Sequence, residues 1–212
     1  MILTLSQLSR ATLATQGELE QHGFWSEGTR LLRTDICLIP CPLPSCLLAV
    51  GFFTHGDVGT LGRLAGFDVG NIYIPRHLGT LYKLKTIMPK RALSLLGESF
   101  TGRASLRDVL RHEYGHAVAH WYSGLIQRSS RFSETFGGSY WRENHRDAED
   151  PDDFVSDYAM TKPMEDFAET FMFYLRHDGE LPSRFKVPAI KKKWSFIRDL
   201  GKRIGSGHHV WQ

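Results

Sequence analysis

Residues 112 to 116 read His-Glu-Tyr-Gly-His, and no other stretch constrains the chain so tightly. Two imidazoles four positions apart project from one face only if the backbone between them is helical. The flanking pattern agrees. Leu106, Leu110, Ala117 and Trp121 recur at helical intervals, Ser105 opens an S-x-x-D start with Asp108, and Gly124 follows Ser123. The spacing therefore predicts a helix over 106–123, ended by Gly124. In a chain with 10 His and 11 Glu, chance alone produces H-E-x-x-H about 0.02 times. Two neutral imidazoles suit a borderline-soft ion such as Zn2+. Glu113, beside the first histidine, is placed to take a proton from water on that ion rather than to hold the ion itself.

A catalytic site of this kind needs a third protein ligand and one open position. An extended motif would put Gly at Ala119 and His at Tyr122, so that source is excluded. His120 lies four after His116, but a rigid helix cannot turn three successive ligands around one ion, so it belongs on the surface or in a second layer. Carboxylates remain. A second helix is marked by Pro163 in its first turn, by Met164, Phe167, Phe171 and Leu175 on one face, and by Gly179 past its end. It offers Glu165 and Glu169, i and i+4 on the opposite face, so one can bind the metal while the other orients a ligand imidazole. Glu165 is the first choice for the ligand, with Glu169 and Glu134 as alternatives. Glu134 sits in Arg131-Phe-Ser-Glu-Thr-Phe-Gly-Gly, which does not read as a helix interior. Asp166 points off the Glu165 face and is expected to be solvated or to cap the helix. Tyr158, seven residues before Glu165, is either a core residue or a phenol able to donate to an oxyanion near the metal.

The rest of the chain supplies limits. Three cysteines in 212 residues are too few and too odd in number for a disulfide scaffold. Cys37, Cys41, Cys46 and His55 fit no common zinc spacing and read as buried thiols with an unrelated histidine. Ile36–Phe53 has no charge over 18 residues, yet Pro40, Pro42 and Pro44 exclude a membrane-spanning helix; a turn and a buried strand over 46–53 are expected. Asn71–Pro75, after the Gly-rich stretch Gly56–Gly70, is a strand candidate. It is either an ordinary sheet strand or an edge that pairs with an extended substrate. Leu81–Leu96 reads as helix or loop, and Leu5–His22 as a polar helix. No secretory signal is visible, which leads to an expected cytoplasmic location, or export as an effector without a cleaved signal peptide.

The net charge is only +3, which does not suggest nucleic-acid binding, but its distribution is uneven. Residues 184 to 203 carry eight basic side chains against Asp199 alone, and the remainder is net acidic. Ile190, Trp194, Ile197 and Leu200 recur there at helical spacing, so the segment is expected to dock as a helix with a solvated basic outer face. His208 and His209 close a Gly-rich end expected to be disordered. The connection of about 40 residues between the two central helices, with its acidic run to Asp153, is long enough to suggest a functional loop.

The combination HEYGH (112 to 116), a long insert, then FVSDYAMTKPMEDFAETF (154 to 171) resembles the gluzincin metallopeptidases of the anthrax lethal factor-like and Mlc titration factor-like groups. A similar Tyr-Ala…Glu-x-Phe-Ala-Glu segment occurs in bacterial zinc-binding peptidases. The resemblance covers Ser105 to Leu181, roughly a third of the chain. It implies that Glu165 is the zinc ligand with His112 and His116, that Glu169 supports a ligand histidine, and that Tyr158 assists the transition state.

These readings converge on an α+β zincin-like metallopeptidase domain: a small mixed sheet packed on the HExxH helix, a helical C-terminal lobe, and a cleft between them. The expected organisation is an N-terminal extension over 1–60, a catalytic domain over 61–181 and a basic helix and tail over 182–212. The expected activity is hydrolysis of a peptide bond in a protein or peptide substrate, with one Zn2+ per chain, Glu113 as proton shuttle and Tyr158 at the oxyanion. Two rivals are a zinc-bearing binding or regulatory module without hydrolysis, and a metal-dependent amidase or deformylase acting on a small substrate.

Overall fold

The computed structural model describes residues 2–40, 51–55, 67–78, 105–142 and 150–211. Cys41, Cys46 and the start of the expected 46–53 strand lie outside the described residues. So do most of Gly56–Gly70, the 81–96 segment and residues 143–149 of the acidic connection. Five helices form among the described residues: α1 (Leu5–Gln21), α2 (Leu106–Trp121), α3 (Ser130–Phe136), α4 (Pro163–Arg176) and α5 (Pro188–Gly205). Three short strands accompany them: β1 (Ile36–Ile39), β2 (Phe52–Phe53) and β3 (Ile72–Pro75). The chain is thus mixed α+β.

Local chemistry sets the helix starts. Thr4 accepts from the Gln7 backbone N–H, and the Gln7 side chain accepts in return from the Thr4 N–H at 2.9 Å, closing a capping box on α1. Ser105 caps α2 through the Asp108 N–H. Pro163 and Pro188 open α4 and α5, where the missing N–H leaves no helical bond unmade.

The sheet order is β1-β3-β2, with β1 parallel and β2 antiparallel to β3. Of the two readings open for Asn71–Pro75, the structure selects the ordinary sheet strand: among the described strands it is the central one, not an edge. Ile72 to Pro75 is buried throughout, as a strand flanked on both sides and covered by helices must be. The edges among the described strands are β1 and β2.

Helix α2 is the centre of the fold, with every residue from Asp108 to Ala119 buried. It packs on α1, on α4 and on the β2–β3 side of the sheet. Its polar residues are therefore paired internally, as burial requires. Arg111 donates to Glu18 of α1 at 2.6 and 2.7 Å and to Asp108 at 2.7 Å. Arg176 of α4 donates to the same Asp108 at 2.9 Å, so one ionic network joins three helices. On the α4 side the approach is closer still. A Cβ at Gly115 would lie 3.1 Å from the Ala168 Cα, tighter than ordinary van der Waals contact.

The C-terminal region corrects four expectations. α5 docks through Ile190, Trp194, Phe196, Ile197, Leu200 and Ile204, but Lys193 is not on the solvated face. It is buried, 2.7 Å from Asp166 Oδ2, and donates to the Asp153 carbonyl at 2.8 Å. Asp166 is accordingly neither solvated nor a cap: it is fully buried and ion-paired, because α5 delivers a cation to it. The tail is ordered against α2 and its following turn. His209 stacks on Tyr122 with ring centroids 5.6 Å apart, and Trp211 donates to the Leu125 carbonyl at 2.7 Å. Gly124 serves that contact rather than ending α2, which is capped by Tyr122; a Cβ at 124 would meet the His209 carbonyl oxygen at 2.8 Å.

The α2–α4 contact leads to a graded prediction. Ala at 115 gains helix propensity of about 1 kcal/mol, which offsets a few tenths of an ångström of displacement, so Gly115→Ala should be near neutral in stability. Gly115→Leu overpacks the crossing and should cost about 1–3 kcal/mol, read as a lower denaturant midpoint. Equal midpoints for wild type and Gly115→Leu would show that the crossing is loose.

Candidate metal centre

The close crossing of α2 and α4 brings three donor atoms together. His112 Nε2 and His116 Nε2 are 3.1 Å apart, and Glu165 Oε2 lies 3.2 Å from the first and 3.4 Å from the second. Among the described residues this is the group of His, Cys, Asp and Glu side chains able to hold a metal ion. The triangle matches a tetrahedral zinc site, in which bonds of about 2.0–2.1 Å set neighbouring ligands roughly 3.3 Å apart.

The protons support the same fit. His112 Nδ1–H donates to Glu169 Oε1 at 2.8 Å, and a carboxylate can only accept. Nε2 of His112 therefore carries a lone pair and faces the triangle. His116 Nδ1 lies 3.0 Å from the Tyr140 hydroxyl, so the tautomer that donates there also turns an Nε2 lone pair inward. Glu165 Oε2 is buried with no hydrogen-bond partner. Two lone pairs and a carboxylate oxygen facing one another within 3.4 Å repel unless a cation lies among them.

The second layer is built from three directions. Glu169 Oε2 accepts from Ser156 Oγ at 2.7 Å, and Ser156 Oγ also accepts from the Ala159 N–H, which ties the short turn carrying Tyr158 to Glu169. Tyr158 is half-buried, its ring 6.0 Å from that of His112. Tyr140, fully buried, is held protonated by its burial and then by the nearby charges of Glu165 and Glu113. Glu113 is buried on α2, and a Cβ at Gly51 beside β2 would lie 3.5 Å from its Cγ. His120 is a second-layer residue, half-buried against Phe53, His55 and Trp121.

Two residues of the site escape a reading of the sequence. Tyr140 meets His116 across 24 positions, after a turn with no periodic signal. His55, grouped in sequence with cysteines, stands instead beside the metal donors, its ring 5.5 Å from His116. Burial, then His116 and His120, push its pKa down to about 3. Glu134 is reassigned as well. It lies on helix α3, exposed, and is not one of the grouped donors. Cys37 lies in β1, apart from those donors, its thiol pushed up by burial.

The arrangement predicts a ranking of zinc affinities, measured by elemental analysis and chelator competition. Wild type should bind one equivalent, Glu134→Ala should match it, and His112→Ala, His116→Ala and Glu165→Ala should lose it. Glu169→Ala and Tyr140→Phe remove support from a ligand imidazole and should weaken binding about 10–100-fold. An unchanged affinity in Tyr140→Phe would show that the phenol does not act on His116.

No helix among the described residues is long and apolar enough to cross a membrane. No curated protein and no solved structure matches the chain. Residues 103–188 match the model of a family described as "Putative zinc-binding metallo-peptidase". That span contains α2, α3 and α4, and with them His112, Glu113, His116, Tyr140, Tyr158, Glu165 and Glu169. Over this part of its length the chain is similar to zinc-binding metallopeptidases, which supports a metallopeptidase at the general level.

Proposed function

We propose that the chain is a zinc-dependent endopeptidase of the gluzincin type, hydrolysing a peptide bond in a protein or peptide substrate. The observation that carries this reading is the triangle of His112, His116 and Glu165, with edges of 3.1 to 3.4 Å. Three protein donors leave a zinc ion one position for water or substrate, which distinguishes catalytic from closed structural sites. Zinc held there supplies a water acidified to a pKa of about 7 and polarises a carbonyl oxygen.

The chain's own residues divide the remaining work. Glu113 follows His112 on α2 and is buried, so its carboxylate acts in a desolvated setting. It takes the proton from the attacking water and passes it to the leaving amine. Tyr158, on the flank beside His112, donates its phenol O–H to the oxygen that gains negative charge. Glu169 and Tyr140 fix the two imidazoles, so that neither ring has to reorient as charge develops.

The test uses zinc-loaded protein and a proteome-derived peptide library, with new termini identified by mass spectrometry. Glu113→Gln should keep its zinc and lose at least about 100-fold in cleavage. Tyr158→Phe should lower kcat about 10²–10³-fold with KM little changed. Full cleavage by zinc-loaded Glu113→Gln would exclude this proton path. A wild type that binds zinc and cleaves nothing would make the chain a zinc-bearing binding module.

A further inference from the structure

Among the described residues, His55 is a polar residue beside the grouped donors that the proposed chemistry does not use. Its backbone is set by the sheet. Thr54, just before it, donates its N–H to the Asn71 carbonyl at 3.0 Å, accepts from Gly70 at 2.9 Å, and donates its hydroxyl to the Asp68 carbonyl. Phe53 and His55 share one face by the two-residue period of extended chain, and that face meets α2. Phe53 packs on His120, and His55 on both His116 and His120.

Neither ring nitrogen of His55 has a hydrogen-bond partner among the described residues, although both are shielded from solvent. Orphaned buried polar atoms are uncommon and need a reason. His55 is not one of the three grouped metal donors. A neutral imidazole carries one donor and one acceptor, the same pair that a peptide group presents in reverse. On its outer side His55 meets Trp141 edge-on, with centroids 5.1 Å apart. Trp141 is 52% exposed and is the aromatic residue among the exposed large apolar side chains described.

We propose that His55 is a substrate-binding residue, hydrogen-bonding the backbone of a peptide that lies across the metal centre, while Trp141 packs on the same segment. This deepens the peptidase reading and rests on it. Tyr158 stands on the His112 flank and His55 on the His116 flank, so substrate is gripped from both sides of the metal.

The experiment measures binding to zinc-loaded wild type, His55→Phe and His55→Gln by calorimetry. The probes are acetohydroxamic acid, which carries only a zinc-binding group, and a panel of dipeptide hydroxamates of the form Ac-Xaa-Yaa-NHOH. The expected result is that panel members bind wild type more tightly than acetohydroxamic acid. The preferred member should lose about tenfold in His55→Phe, the loss of one neutral hydrogen bond, and stay within about threefold in His55→Gln. Acetohydroxamic acid affinity and zinc content should be equal in all three proteins. If the panel gains over acetohydroxamic acid in wild type and His55→Phe keeps that gain, the role of His55 is overturned and the peptidase reading stands. If zinc content or acetohydroxamic acid affinity falls with the panel, His55 shapes the metal centre and the proposal is likewise overturned. A wild type for which the dipeptides add nothing overturns both readings together.

Discussion

The crossing of α2 and α4 at Gly115 and Ala168 is the constraint on which the metal centre depends. On α2, His112, Gly115 and His116 share a face, and on α4, Glu165, Ala168 and Glu169 share another. The small residues meet in the middle, where a Cβ at 115 would be 3.1 Å from Ala168 Cα. The donors stand on either side of that contact. A carboxylate side chain is short, so Glu165 and Glu169 reach two imidazoles of the neighbouring helix only because the backbones approach so closely. Glycine inside a helix costs about 1 kcal/mol relative to alanine. Here that cost is the condition for bringing Glu165 and Glu169 within reach of the two imidazoles.

Burying so many carboxylates around one helix crossing raises a second requirement. Asp108, Glu113, Asp166 and Glu169 are all buried, and uncompensated they would repel one another and oppose folding. Arg111 and Arg176 answer Asp108, and Lys193 answers Asp166. The uneven charge of the sequence acquires a structural meaning from this. One lysine of the basic helix is inserted into the acidic core, its ammonium 4.1 Å from the centroid of the Phe154 ring, while Lys191 and Lys192 face solvent. Docking of α5 and neutralisation of the buried Asp166 are therefore one interaction.

What was legible in the sequence was the periodic part. The helix over Leu106–Trp121, the helix opened by Pro163, and the i, i+4 pairing of Glu165 with Glu169 all depend on contacts within a few residues, which local pattern encodes. Asp166 is misplaced by local pattern for the same reason. Its position on α4 says only that it leaves the Glu165 face, and the partner that buries it arrives from residue 193. Tyr140 carries no local signature, since its role exists only where the turn after α3 meets His116. For the tail, Gly-rich composition suggests disorder, whereas Gly124 leaves no side chain on the surface on which His209 lies. Asn71–Pro75 shows the limit for strands: an apolar run predicts burial, but only pairing on both sides decides that it is central.

The site thus has two kinds of wall. The inner wall, from α2 and α4, is fixed by helix packing and by the hydrogen bonds that orient the imidazoles of His112 and His116. The outer wall comes from irregular segments: the turn at Tyr158, the Tyr140–Trp141 pair after α3, and His55 beyond the end of β2. Such segments can change without disturbing a packed helix pair, which is why binding preferences concentrate in them. The similarity to zinc-binding metallopeptidases spans 103–188 and so includes the inner wall but not His55. On the proposed reading the chemistry belongs to the packed helices, and His55 is the outer-wall residue that lies outside the matched span.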